Sequence, residues 1–123
     1  MSQELKKFIN SYAHFTEDEL TNIVQRFKKR NIKKNEFALQ ANSICSDLIF
    51  VQSGCLRLYY IQNEVEVSVW FALKQSSAIE IYSFISETPS NYYLQAIEDT
   101  EILFLPKAAL NELYQTHPKL QEM

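Results

Sequence analysis

Apolar residues recur along this chain with two periods, and the change from one to the other divides it. Leu5, Phe8, Ile9 and Tyr12 stand at spacing i, i+3, i+4, i+7 within Ser2–Tyr12, one face of an amphipathic helix. Leu20, Ile23, Val24 and Phe27 repeat that spacing. The start of this second helix is marked: Thr16 is its N-cap, Glu19 completes a capping box, and Phe15 and Leu20 are placed for a hydrophobic staple. The helical reading runs to residue 29. It places Lys28-Lys29-Arg30, with Lys33-Lys34 beyond, at a helix end where cations suit the dipole and solvent.

From Arg30 the period falls to two. Asn31–Asn35 reads as strand then turn, Phe37 and Leu39 alternate in a short strand, and Ala41-Asn42-Ser43 breaks it. The run Asp47–Tyr60 carries the only glycine of the 123 residues, Gly54, where an average usage of roughly 7% predicts several more. A lone glycine points to a backbone demand, a positive φ that a Cβ opposes. Ser53-Gly54 therefore reads as a tight turn joining two consecutive strands.

Asn63-Glu64 is the next turn, after which Val65, Val67, Val69 and Phe71 alternate with Glu66, Ser68 and Trp70. Ser76-Ser77 interrupts, residues 79–85 suggest a short helical turn, and Glu87–Asn91 is a loop by composition. Tyr92, Leu94 and Ala96 alternate again, Glu98-Asp99 turns, and Ile102–Leu105 is the last strand. Pro106 suits the first position of a helix whose apolar side is Leu110, Leu113 and Tyr114. His117-Pro118 ends it, and Lys119–Glu122 opens another. Helices, then about seven or eight short strands, then a helix describe a mainly β fold, a sandwich or barrel.

A chain of this length is one domain, residues 1–123. No apolar run approaches the roughly 18 residues that span a bilayer, and the N-terminus lacks a signal-peptide apolar core. The expectation is a cytoplasmic protein with no membrane partner. The net charge of −3 argues against this chain gripping nucleic acid by itself. Cys45 and Cys55 have no metal or redox spacing, and His14 and His117 are distant. No zinc or iron–sulfur site and no metal cofactor are expected, and Cys55 reads as a small buried hydrophobe rather than half of a disulfide. No nucleophile–base pair stands out either, so catalysis is not expected.

The order of elements resembles the cyclic-nucleotide-binding-like β-roll, a double-stranded β-helix or jelly roll, of Crp/Fnr-type bacterial transcription regulators. Lys33-Lys34-Asn35-Glu36-Phe37 is similar to the turn entering the second strand, and Asp47–Tyr60 to the strand–Gly–strand hairpin of the roll. Ala96–Leu105 is similar to the strand after the ligand cassette and the final strand. Leu105–Tyr114 with His117-Pro118 is similar to the helix before a long dimerisation helix. The resemblance implies N-terminal helices over 1–29, a β-roll over 30–105, and a C-terminal helix with the start of a dimerisation helix over 106–123. It also implies a homodimeric full-length parent that contacts DNA through a separate helix-turn-helix domain outside this chain.

In that family the phosphate cassette pairs Gly-Glu with Arg-Ser-Ala about ten residues later. The glycine lets backbone N–H groups approach the phosphate, the arginine neutralises it, and the glutamate accepts from the ribose hydroxyl. Here Glu80 keeps the glutamate position, but Ile79 stands for the glycine, and Ser90, Asn91 and Tyr92 stand for Arg-Ser-Ala. The resemblance thus implies a degenerate cassette that does not bind cAMP or cGMP, with an unknown small-molecule effector as the alternative ligand. Its candidate contacts are Glu80, Ile81, Tyr82, Ser90, Asn91 and Tyr92. Set against this are plainer roles: Glu80 as a helix cap, Pro-Ser-Asn as turn chemistry, and Trp70, Tyr82, Tyr92 and Tyr93 as core aromatics rather than the lining of an aromatic pocket. Arg57, in an apolar strand, suits either a buried ion pair with a carboxylate or a side chain that snorkels to the edge of the sheet. Two other readings compete with a sensor: a purely structural dimerisation module, and a cupin-like enzyme. The enzyme is the poorer of the two, because cupin chemistry needs a histidine cluster.

Overall fold

The computed structural model describes residues 3–11, 13–78 and 81–122. Helix α1 spans Gln3–Asn10 and α2 Glu17–Val24. Eight strands follow: β1 Lys28–Ile32, β2 Phe37–Leu39, β3 Asp47–Ser53, β4 Leu56–Gln62, β5 Val65–Ala72, β6 Ser77–Ala78, β7 Tyr93–Ala96 and β8 Thr100–Pro106. Helix α3, Ile81–Ser86, lies between β6 and β7, α4 is Lys107–Thr116, and a 3-10 turn covers Pro118–Glu122. Two antiparallel four-stranded sheets, ordered β1-β8-β3-β6 and β2-β7-β4-β5, enclose one apolar core. This is the order of an eight-stranded jelly roll.

The predicted capping box is present: the Glu19 N–H donates to the Thr16 hydroxyl, and the Glu19 carboxylate accepts from the Thr16 N–H. Leu20, Ile23, Val24, Phe15 and Phe27 are all buried. Tyr12 of the first predicted helix face lies outside the described residues.

The first sheet is covered on both sides, which explains its continuous apolar runs. Alternate residues of a strand point to opposite faces. Phe50 meets Phe8 of α1, and Leu48 and Leu105 pack with Ile9, Ile23, Phe27, Leu110 and Leu120 of the helical layer. Ile49, Val51 and Ile102, on the other face, close against the second sheet's Leu56, Leu94 and Ala96.

Three sequence expectations are corrected. Residues 28–29 are not helical: α2 ends at Val24, and Lys28-Lys29-Arg30 belongs to β1, paired with β8. This is an edge strand with only Ile32 buried, so its cations stay solvated, discourage pairing with another chain, and place Lys29 3.3 Å from Glu101. Second, the two strands around Gly54 are not a hairpin. β3 pairs with β8 and β6, whereas β4 pairs with β5 and β7, so Gly54 turns the chain from one sheet to the other. Third, residues 118–122 form a 3-10 turn rather than α-helix, with Leu120 buried in the core. Pro106 also sits one place earlier than expected, at the N-cap of α4.

The φ of Gly54 is +94°, as its isolation in the sequence requires. Asn63 and Glu64 both have positive φ, 52° and 66°, in the two-residue loop between the paired Gln62 and Val65. That is the demand of a type I′ hairpin.

Candidate functional site

The cassette segment is built from α3, the loop after it and the start of β7, all anchored by backbone and hydroxyl bonds. The buried Ser83 hydroxyl accepts from the Cys45 N–H at 2.8 Å and donates to the Thr88 carbonyl at 2.6 Å, tying α3 to the loops on either side. Lys107, at the start of α4, directs its ammonium at the Phe84 and Ile85 carbonyls, 2.5 and 3.4 Å away, the orphan acceptors at the C-terminal end of α3.

After α3 the chain runs beside the loop following β2. Pro89 bridges to Ile44, the Ser90 N–H donates to the Ser43 carbonyl at 2.8 Å, and the Asn42 N–H donates to the Ser90 carbonyl at 2.7 Å. The Ser90 hydroxyl accepts from the Tyr92 N–H at 3.0 Å, a local turn bond, and the residue is 1% exposed. The Ser90 side chain is thus a short hydroxyl folded back on its own backbone.

Asn91 is exposed and Tyr92 half-buried. The ring of Tyr92 meets that of Tyr60 edge-on, with centroids 5.7 Å apart and planes at 87°. Ile81 and Tyr82 belong to α3, but their side chains, like Glu80 itself, lie outside the described residues. The structure thus places Ser90, Asn91 and Tyr92 together at the start of β7. Among them they offer hydroxyl, amide and ring, and no charge.

The other face of β4 and β7 carries a second polar–aromatic group. Tyr59 stacks on Tyr93 at 5.1 Å, and Phe37 adjoins Tyr93 at 5.6 Å. The Arg57 guanidinium lies 4.3 Å from the Tyr59 ring centre, donates to Ser68 at 2.8 Å and pairs with Glu66 at 2.7 Å. Burial pushes the Tyr59 hydroxyl pKa up, and the Glu66 carboxylate pushes it further. Arg57 does form an ion pair, but not a buried one: its partner Glu66 is half-exposed on the edge strand β5.

Trp70 is not a core aromatic. It is 59% exposed, with Phe71 at 46% and Val69 at 50%. β5 has the predicted strand conformation, but a bulge at Val69 breaks its alternation, and as the sheet's edge strand it covers little of the core. Both cysteines are free and buried, and burial raises the Cys55 pKa. Among the described residues no cluster of His, Cys, Asp and Glu could hold a metal, and no described helix is long and apolar enough to cross a membrane.

Sequence reasoning missed Tyr60 and Lys107. The Tyr60–Tyr92 contact depends on the β4–β7 register, and the Lys107 contact on the approach of α4 to α3. Neither leaves a local signature. The one available hint was the unusual density of tyrosines at 59–60 and 92–93.

The chain belongs to the cyclic nucleotide-binding domain family, which matches residues 29–117. This places it with ligand-binding domains rather than enzymes. No curated protein sequence matches it. Among solved structures it is similar to a cyclic nucleotide-binding domain from Methylobacillus flagellatus, with TM-score 0.84 and 16% identity over 96% of this chain and 68% of that one. It is similar to the sensor domain of the transcriptional regulator DNR from Pseudomonas aeruginosa, with TM-score 0.80 and 15% identity over 97% of this chain and 79% of that one. The catabolite activator protein of Thermus thermophilus matches with TM-score 0.79 and 19% identity over 89% of this chain. The chain spans about half the length of that protein, 52%. At these identities the likeness establishes the β-roll fold.

Proposed function

We propose that this domain is the effector-sensing domain of a Crp/Fnr-type transcription regulator whose cassette does not hold a cyclic phosphate. Its fold is that of a catabolite activator protein and of the DNR sensor domain, which supports the regulator reading. In such a protein the domain works as a homodimer and leaves DNA contact to a separate helix-turn-helix domain.

The observation that carries the ligand statement is Ser90. It stands at the arginine position of the cassette, is 1% exposed and spends its hydroxyl on the Tyr92 N–H. A cyclic phosphate facing Glu80 would meet a carboxylate without the guanidinium that offsets its desolvation. The effector is therefore a molecule other than cAMP or cGMP.

Thermal unfolding with cAMP, cGMP and a metabolite panel tests this. A ligand at 100 times its Kd adds about 2.7 kcal/mol, several degrees at this size. No shift with cAMP or cGMP and a shift with another compound is the expected pattern. A shift with either cyclic nucleotide refutes it.

A second reading, a structural dimerisation module, is favoured by one observation. Ile61, Val65, Val69, Trp70, Phe71 and Leu73 are each 46–61% exposed along the β4–β5 hairpin and the residue after it, a concentration of apolar surface that commonly marks an interaction site. Sedimentation separates the readings: self-association abolished by Trp70→Ser, with no response to any metabolite, supports the module alone.

A further inference from the structure

Seven residues at the open end of the second sheet form a groove: Ala41, Tyr60, Ile61, Gln62, Asn91, Tyr92 and Tyr93. In a chain where 22% of residues are charged, the described residues of its lining include none, while three of the chain's seven tyrosines are there. The two side-chain amides, Gln62 and Asn91, each carry both donor and acceptor. Tyr60 and Tyr92 meet edge-on, which leaves both faces of the edge-on ring uncovered by its partner. Tyr93 borders the groove, with its ring stacked on Tyr59 on the other face of the sheet.

We infer that this groove binds an uncharged molecule bearing a flat heteroaromatic ring. The ring stacks on a tyrosine face, and the Gln62 and Asn91 amides read its edge by hydrogen bonds. Aromatic faces next to neutral amides suit a neutral ring with donors and acceptors on its edge, and among the described lining residues an anion finds no cation and a cation no carboxylate. The groove shares Asn91 and Tyr92 with the cassette segment, so ligand here bears on the loop that runs back through Ser90 to α3. This inference rests on the sensor reading above and names the chemistry of its effector.

The test is a backbone NMR titration of the whole chain with three probes: adenosine, cAMP and methyl β-glucoside. They offer a neutral heteroaromatic ring, the same ring with a charged phosphate, and a neutral saturated ring. The expected result is that adenosine moves the amides of Tyr60, Gln62, Asn91 and Tyr92, while cAMP binds at least tenfold more weakly. Loss of base–aromatic stacking in Tyr92→Ala then weakens adenosine about tenfold or more. Asn91→Ala, at an exposed loop position that does not endanger the fold, weakens it several-fold. Shifts from cAMP confined to α3 and Ser90 overturn the groove while leaving a sensor in place. Shifts from the glucoside alone overturn the ring chemistry. Silence from all three probes overturns the inference, and the sensor reading also falls only if the metabolite panel is silent as well.

Discussion

Gly54 and Thr100 meet so closely that a Cβ on Gly54 would lie 2.5 Å from the Thr100 hydroxyl and 2.7 Å from its Cα. The contact is the seam where β3 leaves one sheet and β4 enters the other. The Thr100 hydroxyl accepts from the Cys55 N–H at 3.1 Å and donates to the Glu98 carbonyl at 2.8 Å, so it serves the turns on both sides. Gly54→Ala combines a positive φ with a backbone clash and is expected to cost about 2–5 kcal/mol. Thr100→Val keeps the shape but leaves the buried Cys55 N–H without its acceptor, at about 1–3 kcal/mol, whereas Thr100→Ser stays within about 1 kcal/mol of the parent. Urea unfolding checks the series, and a Gly54→Ala protein as stable as the parent would remove the seam from the argument.

The hairpin tip offers the opposite test. Glu64 occupies a left-handed conformation, φ 66°, at the second position of the loop, where glycine has no steric cost. Glu64→Gly is expected to raise stability by about 1 kcal/mol, the relief of left-handed strain exceeding the extra chain entropy. Asn63→Gly gains less, because asparagine tolerates this region. A melting temperature that falls in Glu64→Gly would show that the loop is not strained.

Much of this architecture was legible in the sequence where the signal is local. Thr16 and Glu19 announce a helix start because both bonds of a capping box are made within one turn. Gly54 announces a turn because no other residue supplies φ +94° so cheaply. What failed depends on partners distant in sequence. Ser53-Gly54 looks like a hairpin because consecutive strands usually pair, yet here the β3 and β4 ladders run to β8 and β7. Lys28-Lys29-Arg30 looks like a helix end because Phe27 completes a helical spacing. Its strand character comes from Phe104, Leu103 and Ile102 opposite. The candidate site was legible as a position but not as an environment. Ser90 was picked out by its offset from Glu80, while its burial goes with the β2–β3 loop, whose Asn42 and Ser43 bond its backbone.

Acid–base behaviour should single out Asp47. Burial raises its pKa above 3.8 despite the opposing charges of Arg30 and Lys28. A raised carboxyl pKa means the folded state prefers the protonated form. That contribution is fully present at pH below the unfolded value and is lost as pH rises through the folded one. Asp47→Asn is therefore expected to be more stable than the parent at pH 7, with the difference closing toward pH 3. Glu19 has the opposite sign: the Thr16 N–H and then the Lys119 ammonium lower its pKa, so its contribution is present above 4.5 and fades as pH falls through the folded value. Stability curves of parent, Asp47→Asn and Glu19→Gln between pH 3 and 7 check both. A constant gap between parent and Asp47→Asn across that range would show that Asp47 is not desolvated.

Lys107 holds the end of α3 from the start of α4. The Lys107 ammonium caps the Phe84 and Ile85 carbonyls, stands 5.2 Å from the Phe84 ring centre and lies 4.0 Å from Glu87. α3 has only six residues, too short to persist without tertiary support. Lys107→Met keeps the methylene stem against Phe84 but removes the donor, at about 1.5–3 kcal/mol for a charged hydrogen bond. The loss should fall locally. Hydrogen exchange is expected to quicken at the amides of residues 83–87 while the β3 and β8 amides keep their protection, because the sheets are paired independently of this contact. If exchange in α3 is unchanged and only global stability falls, Lys107 supports the start of α4 rather than the cassette helix. The two helices would then move independently, and a ligand at the cassette would have no route to α4 through this lysine.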